Sequence, residues 1–179
     1  MRVISGTCRG KKLRALEGTV TRPTTDRVKE SVFNIIQFDV PGRRVLDLFA
    51  GSGQMAIEAL SRGAERAVLV EQDARARRVI GQNLAATGLT GRAQLVAGEA
   101  LAFLAAQRPH SFDLIFLDPP YGGKLLSQAL NCVEKFDILP PGGIIVCESA
   151  AADPVAFPAR FAERREYRYG ATCITIIQG

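Results

Sequence analysis

Histidine and cysteine are scarce in this chain of 179 residues, and their scarcity argues against several kinds of site. The sequence has one histidine, His110, and no tryptophan. Its four cysteines include no C-x-x-C pair, which argues against a zinc site. One histidine also leaves little for Ser-His or Cys-His nucleophilic catalysis. We therefore expect no metal, and we expect the thiols to be buried and reduced.

Long apolar runs are absent as well. No run approaches the roughly 18 residues of a membrane helix, and the first residues, "MRVISGTCRGKK", lack the apolar core of a secretory signal. Apolar residues make up 47% of the chain and charged residues 23%, which is ordinary for a globular protein. We expect a cytoplasmic protein in which residues 1–179 form a single domain, with residues 1–20 as a basic N-terminal hairpin or arm.

Acidic residues are missing from the first 14 positions, although the net charge of the whole chain is only +5. Five basic residues lie there: Arg2, Arg9, Lys11, Lys12 and Arg14. A cluster of one sign is compatible with binding to nucleic-acid phosphates. The alternative is a solvated charged face without a partner.

Helical and strand patterns alternate along the rest of the chain. Apolar residues at 28, 32, 35 and 36 predict one face of a helix, with Thr24, Thr25 and Asp26 as candidate N-caps and an end at Pro41-Gly42. Five apolar strands then alternate with helices: "RVLDLFA", "RAVLVEQD", "AQLVAG", "FDLIFLD" and "GGIIVCES". This order predicts an α/β fold with a mostly parallel sheet. Around Gly170, "ERREYRYG" and "ATCITIIQ" predict an antiparallel hairpin.

A glycine loop, "LDLFAGSGQMA", follows the first of these strands. Gly51 and Gly53 would let the backbone approach a ligand, and Glu71 closes the next strand, where an acid can bind ribose hydroxyls. Asp47 lies inside an apolar strand just before the loop. An acid there would repel the pyrophosphate of a nicotinamide dinucleotide and attract the cationic groups of S-adenosylmethionine. We therefore predict S-adenosylmethionine as the cofactor.

The fourth strand ends in "DPPYGG", and two successive prolines make this an unusually rigid loop. Asp118 offers a carboxylate, Pro119 a backbone carbonyl fixed by Pro120, and Tyr121 a ring face. These groups suit the exocyclic amine of a nucleobase, because acceptors can hold its hydrogens while the ring stacks on the flipped base.

Taken together, "LDLFAGSG", "VEQD" and "DPPY" resemble class I S-adenosylmethionine-dependent methyltransferases that act on amino groups. More narrowly, "MRVISGTCRGKKL", "TRPTTDRVKESVFNII", "EALSRGA" and "YGATCITII" resemble the RsmD family. That resemblance implies a Rossmann-like sheet of order 3-2-1-4-5-7-6. It also implies methylation of guanine N2 at nucleotide 966 of 16S rRNA.

The resemblance further implies roles for individual residues. A cofactor-binding set would comprise Asp47, Phe49, Gly51, Gly53, Glu71, Gln72, Glu99, Ala100, Arg22, Thr24 and Thr25. The target guanine would be held by Asp118, Pro119, Pro120 and Tyr121, and the RNA by the five basic residues of the arm. Two positions depart from the family pattern, Ala56 in place of glycine and Glu99 in place of aspartate.

Three alternatives remain open at this point. A DNA adenine-N6 or cytosine-N4 methyltransferase shares the "DPPY" chemistry but commonly carries a further sequence-reading domain. A small dehydrogenase fits the glycine loop less well, and a non-catalytic RNA-binding module would not need Asp118. We expect a monomer that recognises 16S rRNA within a small-subunit ribonucleoprotein particle, because a small domain has little surface for reading sequence.

Overall fold

The computed structural model describes residues 1–16, 26–120, 122 and 124–179. The predictions for Arg22, Thr24, Thr25 and Tyr121 therefore lie outside the described residues. The strands are β1 (Arg44–Asp47), β2 (Arg66–Glu71), β3 (Ala93–Ala97), β4 (Leu114–Leu117), β5 (Ile144–Ala150), β6 (Arg164–Tyr169) and β7 (Thr172–Gln178). The helices are α1 (Asp26–Ile35), α2 (Gln54–Ser61), α3 (Ala74–Thr87), α4 (Ala100–Ala105) and α5 (Lys124–Lys135).

The seven strands form one sheet in the order β3-β2-β1-β4-β5-β7-β6. The first five of these pair in parallel, and β7 pairs antiparallel with both β5 and β6. The predicted fold class and strand order are confirmed. The order reverses between β1 and β4, so the loops that follow these two strands diverge and leave a crevice at their carboxyl ends.

Helices cover both faces of the sheet, because alternate side chains of each strand point to opposite sides. One core packs α1, α2 and α3 against residues such as Val45, Phe116 and Val146. The other packs α4 and α5 against residues such as Leu46 and Leu117. Of the helices in the described ranges, none is long and apolar enough to cross a membrane.

The first helix is shorter than its sequence pattern predicts. It begins at Asp26 but ends at Ile35, six residues before Pro41. The chain turns instead through Phe38, where the Asp39 N–H donates to the Ile36 carbonyl at 2.9 Å. The polar and exposed residues that follow Ile36 cannot extend a buried helical face, which explains the early end.

The predicted hairpins are both present. At the C-terminus, β6 and β7 are joined at Gly170, whose φ of +62° suits a tight turn. At the N-terminus, Arg2 and Lys12 form an antiparallel bridge, and the Val3 N–H donates to the Lys11 carbonyl at 2.9 Å. The N-terminal residues therefore form a hairpin, which contributes Val3 to the core and contacts α2 and α3.

A buried charge cluster attaches this hairpin to the body of the protein. The carboxylate of Glu58 in α2 accepts from the Ile4 and Ser5 N–H groups at 2.8 and 3.0 Å, and from Arg62 at 2.8 Å. The Lys29 ammonium lies 3.7 Å from Glu58 and donates to the Arg2 carbonyl at 2.6 Å. The side chains of Lys29 and Glu58 are fully buried, and this burial lowers the pKa of Lys29.

Removing Glu58 should therefore destabilise the whole protein. Glu58→Ala leaves the buried Lys29 with only the more exposed Asp26, at 3.8 Å, and leaves two backbone donors unsatisfied. We expect this to lower the free energy of unfolding by about 3–5 kcal/mol. Urea denaturation followed by circular dichroism measures this. The matched control is the exposed Glu65, whose change to alanine should cost less than about 0.5 kcal/mol. Equal transition midpoints for the two variants would contradict the assignment.

Candidate active site

The glycine loop between β1 and α2 has the open backbone that its sequence predicts. Gly51 and Gly53 have φ values of +54° and +77°. A Cβ at Gly53 would lie 3.0 Å from Leu69 Cδ2, so this glycine permits close packing of the loop on β2. A Cβ at Gly51 would meet nothing nearer than the Phe49 carbonyl oxygen at 4.0 Å. Gly51 thus presents open backbone towards the crevice.

Glu71, at the end of β2, holds this loop in place. Its Oε2 accepts from the Gly51 N–H at 2.9 Å, and its Oε1 accepts from the Asp73 N–H at 2.9 Å. Asp73 in turn caps α3 by accepting from Arg75 and Ala76. Gln72 lies exposed between them. Each carboxylate oxygen can accept a second hydrogen bond, so Glu71 retains capacity for a ribose hydroxyl.

Asp47 is a buried carboxyl beneath the loop. Its Oδ2 accepts from the Ala56 N–H at 3.2 Å, and only 3% of the residue is exposed. The pKa of Asp47 is raised to about 7, chiefly by burial; the Ala56 hydrogen bond lowers it and the nearby charge of Glu71 raises it. A cationic ligand in the crevice would stabilise the ionised form of this carboxyl. The residues present therefore fit a positively charged cofactor better than a pyrophosphate.

Asp118 follows β4 and lines a recess open to solvent. The recess is lined by Asp118, Pro119, Pro120, Leu126, Glu148, Ser149 and Asp153. Asp118 is exposed at the surface, and the groups packed around its carboxyl replace part of the hydration of the charged form. This desolvation raises the pKa of Asp118 well above its ordinary value, and the charges of Glu148 and Asp47 raise it further.

The loop after Asp118 has an anchor that the sequence pattern does not reveal. Asp153, 31 residues further along the chain, accepts from the Gly122 N–H at 2.9 Å. Gly122 has a φ of +119°, a conformation that side-chain-bearing residues rarely adopt. Asp153 thereby fixes the loop at the far end of "DPPYG". It lies in a loop without periodicity, so no local signal could have identified it.

Glu148 is the second site residue that sequence reasoning missed. It lies in β5, beside the carboxyl end of β4. Here a signal was available, because Glu148 closes the apolar segment "GGIIVC" just as Glu71 closes "RAVLV". An acid at the carboxyl end of a buried parallel strand is a candidate ligand-binding group wherever it occurs.

Glu99, predicted near an adenine amine, has a structural role in α4. Both of its carboxylate oxygens accept from the helix N-terminus, from Leu101 at 3.0 Å and Ala102 at 2.7 Å. Ala100 beside it is buried. The cap accounts for an acid at this position, so its contact with a cofactor stays a prediction.

The arm places its basic side chains in different environments. Lys11 Nζ donates to the last carbonyls of α3, Ala86 and Thr87, at 3.3 and 3.1 Å, where a cation is favoured. The Arg2 guanidinium lies 3.9 Å from Asp26. Arg9, Lys12 and Arg14 are exposed. Lys11 is exposed as well, but its ammonium is engaged by these helix carbonyls. Its contact with RNA, like that of the other four residues, stays a prediction.

A side-chain amide connects the arm to the glycine loop. Asn83 in α3 accepts from the Arg14 N–H at 2.8 Å and donates to the Arg14 carbonyl at 3.0 Å. The same Nδ2 donates to the Ser52 carbonyl at 2.9 Å. Asn83 is buried, so the end of the arm and the glycine loop are held at a fixed separation.

The described residues contain no group of three or more histidine, cysteine, aspartate or glutamate side chains placed to hold a metal ion. The four cysteines are free thiols, three of them buried.

Comparisons with known proteins agree with this fold. The family described as Conserved hypothetical protein 95 matches residues 1–178. Ribosomal RNA small subunit methyltransferase D of Escherichia coli is 36% identical over 99% of this chain and 89% of its own. YlbH of Bacillus subtilis is 47% identical over 83% of this chain and 82% of its own. The solved structure of yhhF from Escherichia coli superposes with a TM-score of 0.88 at 36% identity, covering 99% of this chain and 97% of that one.

A more distant likeness concerns the fold alone. An RNA methyltransferase from Salinibacter ruber, solved with S-adenosyl-L-homocysteine, has a TM-score of 0.67 at 16% identity.

Fold and site together define a Rossmann-like, S-adenosylmethionine-dependent methyltransferase of class I. Within that class, the chain belongs to the family described as Conserved hypothetical protein 95, the RsmD family.

The buried Asp47 should leave a mark on the pH dependence of stability. Between pH 4 and about 7 the folded state keeps a proton that the unfolded state releases, so the unfolding free energy of the wild type falls as pH rises. The difference between the pKa of Asp47 in the folded and in the unfolded state corresponds to a free energy on the order of 4 kcal/mol. Asp47→Asn should be more stable than the wild type at pH 8, by a margin that shrinks towards pH 4. Chemical denaturation across this range measures it.

Asp113 supplies a control of opposite sign for this experiment. Its hydrogen bond from Arg44 holds the pKa of Asp113 below its ordinary value. Asp113→Asn should therefore lower stability at neutral pH, because the folded state stabilises the ionised carboxylate of Asp113 and asparagine cannot carry that charge. If both variants changed stability in the same direction at pH 8, the raised pKa of Asp47 would be refuted.

Proposed function

We propose that this protein transfers a methyl group from S-adenosylmethionine to the exocyclic N2 of a guanine in 16S rRNA, at nucleotide 966, during small-subunit maturation. The observation that carries the proposal is the position of Asp118, which lines a recess at the carboxyl end of β4 and lies close enough to Asp47 for the two charges to interact. The ribosomal RNA methyltransferase relatives support RNA as the substrate.

The cofactor, when bound, supplies a methyl group on a positively charged sulfonium. In our proposal Gly51 and Gly53 admit its amino-acid part, Asp47 stabilises its positive charge, and Glu71 binds its ribose. Phe49, Gln72, Glu99 and Ala100 complete the set at the carboxyl ends of β1, β2 and β3, and Arg22, Thr24 and Thr25 stay predictions from the sequence. The depth of Asp47 limits water around the positive charge, which strengthens the attraction.

Asp118 and Pro119 would orient the amine of the target base. The nitrogen lone pair of such an amine is delocalised into the ring, so acceptors that hold its hydrogens favour a tetrahedral, nucleophilic nitrogen. As the nitrogen took the methyl group, the S–C bond of the sulfonium would break and leave a neutral thioether. The proton that the nitrogen then loses would pass to Asp118, whose raised pKa suits a proton acceptor. Orientation of the two reactants supplies most of the rate. Tyr121 would stack on the flipped base.

The proposal also covers the form in which the RNA is recognised and the oligomeric state of the enzyme. We infer that the substrate is a small-subunit ribonucleoprotein particle and that the enzyme acts as a monomer. Within the described ranges, Phe38 is the one large apolar side chain that is largely exposed. A stable dimer would require a contiguous apolar patch.

A methylation assay tests the reaction. Asp118→Ala should reduce methyl transfer by orders of magnitude while the variant folds and binds cofactor as the wild type does. The control is the exposed Glu163→Ala, which should keep full activity. Methyl incorporation is measured in small-subunit particles, naked 16S rRNA and DNA, and the modified nucleotide is identified by mass spectrometry. Methylation of DNA adenine or cytosine would favour the rival methyltransferase, and an active Asp118→Ala would remove this residue from the reaction.

The arm provides a second test, which the structure makes sharper. Arg9, Lys12 and Arg14 are exposed, and we propose that they contact phosphates beside the target without reading bases. Changing all three to alanine should make the salt dependence of RNA binding shallower by about two, since each lost phosphate contact removes about 0.7–0.9 from the slope. The target nucleotide should stay the same.

Lys11→Ala is the matched control from the same hairpin. Because Lys11 caps α3, its loss should lower the free energy of unfolding by about 0.3–1 kcal/mol and leave the salt slope unchanged. Should the triple variant keep the slope of the wild type, the arm would be a solvated face. Should it methylate other guanines efficiently, the arm would be a reader of sequence.

A further inference from the structure

Glu148 lies beside Asp118 at the carboxyl edge of the sheet. In the parallel pairing of β4 with β5, Leu117 is opposite Cys147. Asp118 directly follows Leu117, and Glu148 directly follows Cys147, so the two acids are neighbours at this edge of the sheet. Neighbouring strands are about 4.8 Å apart. Glu148 lies two residues after Val146, on the face that also carries Phe116, and both carboxyls line the same recess.

Two carboxylates that line one recess repel each other, and a ligand that supplies hydrogen-bond donors relieves this repulsion. Glu148 belongs to β5, which pairs on both sides, with β4 and with β7, so its backbone is fixed at the centre of the sheet. A strand in this position ordinarily continues with apolar residues. The pair of acceptors is therefore better suited to a ligand that presents two adjacent hydrogen-bond donors.

Among the bases with an exocyclic amine, only guanine presents such a pair of donors. Its N1–H lies directly beside its 2-amino group. In adenine the ring nitrogen beside the 6-amino group is N1, a bare acceptor, and in cytosine the nitrogen beside the 4-amino group is N3, also an acceptor. In either base, this ring nitrogen would direct its lone pair at the second carboxylate and would be repelled by it. One acid suffices to hold an amine, whereas two distinguish guanine from the other bases.

We infer that Glu148 accepts the N1–H of the target guanine while Asp118 accepts from its 2-amino group, so that Glu148 is the residue that selects guanine over adenine and cytosine. The inference rests on the proposed function, because it assumes that Asp118 holds an exocyclic amine. It assigns to Glu148 a contact with the substrate that is separate from the amine.

The experiment uses an analogue that lacks only the donor in question. 2-Aminopurine keeps the 2-amino group of guanine, but its N1 is an acceptor without hydrogen. Small-subunit particles are reconstituted with 16S rRNA carrying guanine or 2-aminopurine at the target nucleotide. The wild type, Glu148→Gln and Asp153→Asn are compared by kcat/KM on each substrate, with cofactor affinity measured as a check on folding.

For the wild type we expect kcat/KM to fall by about 10- to 150-fold on 2-aminopurine, the range for one lost hydrogen bond to a charged group. Glu148→Gln should show a similar loss on guanine and no further loss on 2-aminopurine, because the glutamine amide can donate to the bare N1. Asp153→Asn, which acts through the loop, should lower both values by the same factor. This non-additivity between residue and base separates a direct contact from a structural effect.

A binding measurement provides a readout independent of the methyl transfer. Inosine lacks the 2-amino group but keeps N1–H, so particles with inosine at the target should bind the wild type more tightly than they bind Glu148→Gln. Equal losses of Glu148→Gln on guanine and 2-aminopurine, or equal binding of inosine particles, would overturn the inference. If instead the wild type failed to methylate guanine N2 in these particles, the proposed function itself would fail, and the inference with it.

Discussion

The pairing of β1 with both β2 and β4 is the constraint on which the site depends. Because the strand order reverses there, the loops after β1 and β4 separate, and the carboxyl ends of the central strands open into one crevice. Side-chain alternation then puts Val45 and Asp47 on the same face as Phe116 and Val146. The residues after Phe116 and Val146 bring Asp118 and Glu148 to that face. Three acids from distant parts of the chain therefore meet beside one glycine loop.

Concentrating acids in this way destabilises the fold without ligands. The pKa values of Asp47 and Asp118 are both raised, chiefly by burial and further by neighbouring carboxylates. Ligands that bring positive charge or hydrogen-bond donors relieve this cost, so the site is better matched to its bound state than to its empty one. Such local destabilisation is expected where binding groups must be held ready in a fixed geometry.

Two lysines make contacts that stabilise the fold, one of them buried and the other exposed. Lys29 is fully buried between the Arg2 carbonyl and Glu58, and Lys11 caps the carboxyl end of α3. Together with Asn83, these contacts attach the arm to α1, α2 and α3 and hold it against the glycine loop. If the proposed function holds, an arm fixed relative to the glycine loop would position RNA relative to Asp118, which a flexible tail could not do.

The sequence by itself determined the class of the fold and the edge of the sheet at which the candidate site lies. Apolar strands alternating with helices specify a parallel sheet, and acids or glycines at the ends of those strands must lie at one edge of it. This is why Asp47, Gly51, Glu71 and Asp118 could be predicted from local patterns. Glu148 carried the same signal, and its location was predictable by the same rule.

Only the tertiary structure decided how the remaining polar groups are used. The arm residues looked equivalent in sequence, but Lys11 reaches helix carbonyls more than 70 residues away, whereas Arg9 and Lys12 stay exposed. Asp153 anchors Gly122 across 31 residues, and Glu99 caps its own helix. Hydrogen bonds and ion pairs of this kind depend on which groups approach within about 3 Å after the chain has packed. Periodicity and spacing report which face a residue occupies, and carry no information about the partner it meets there.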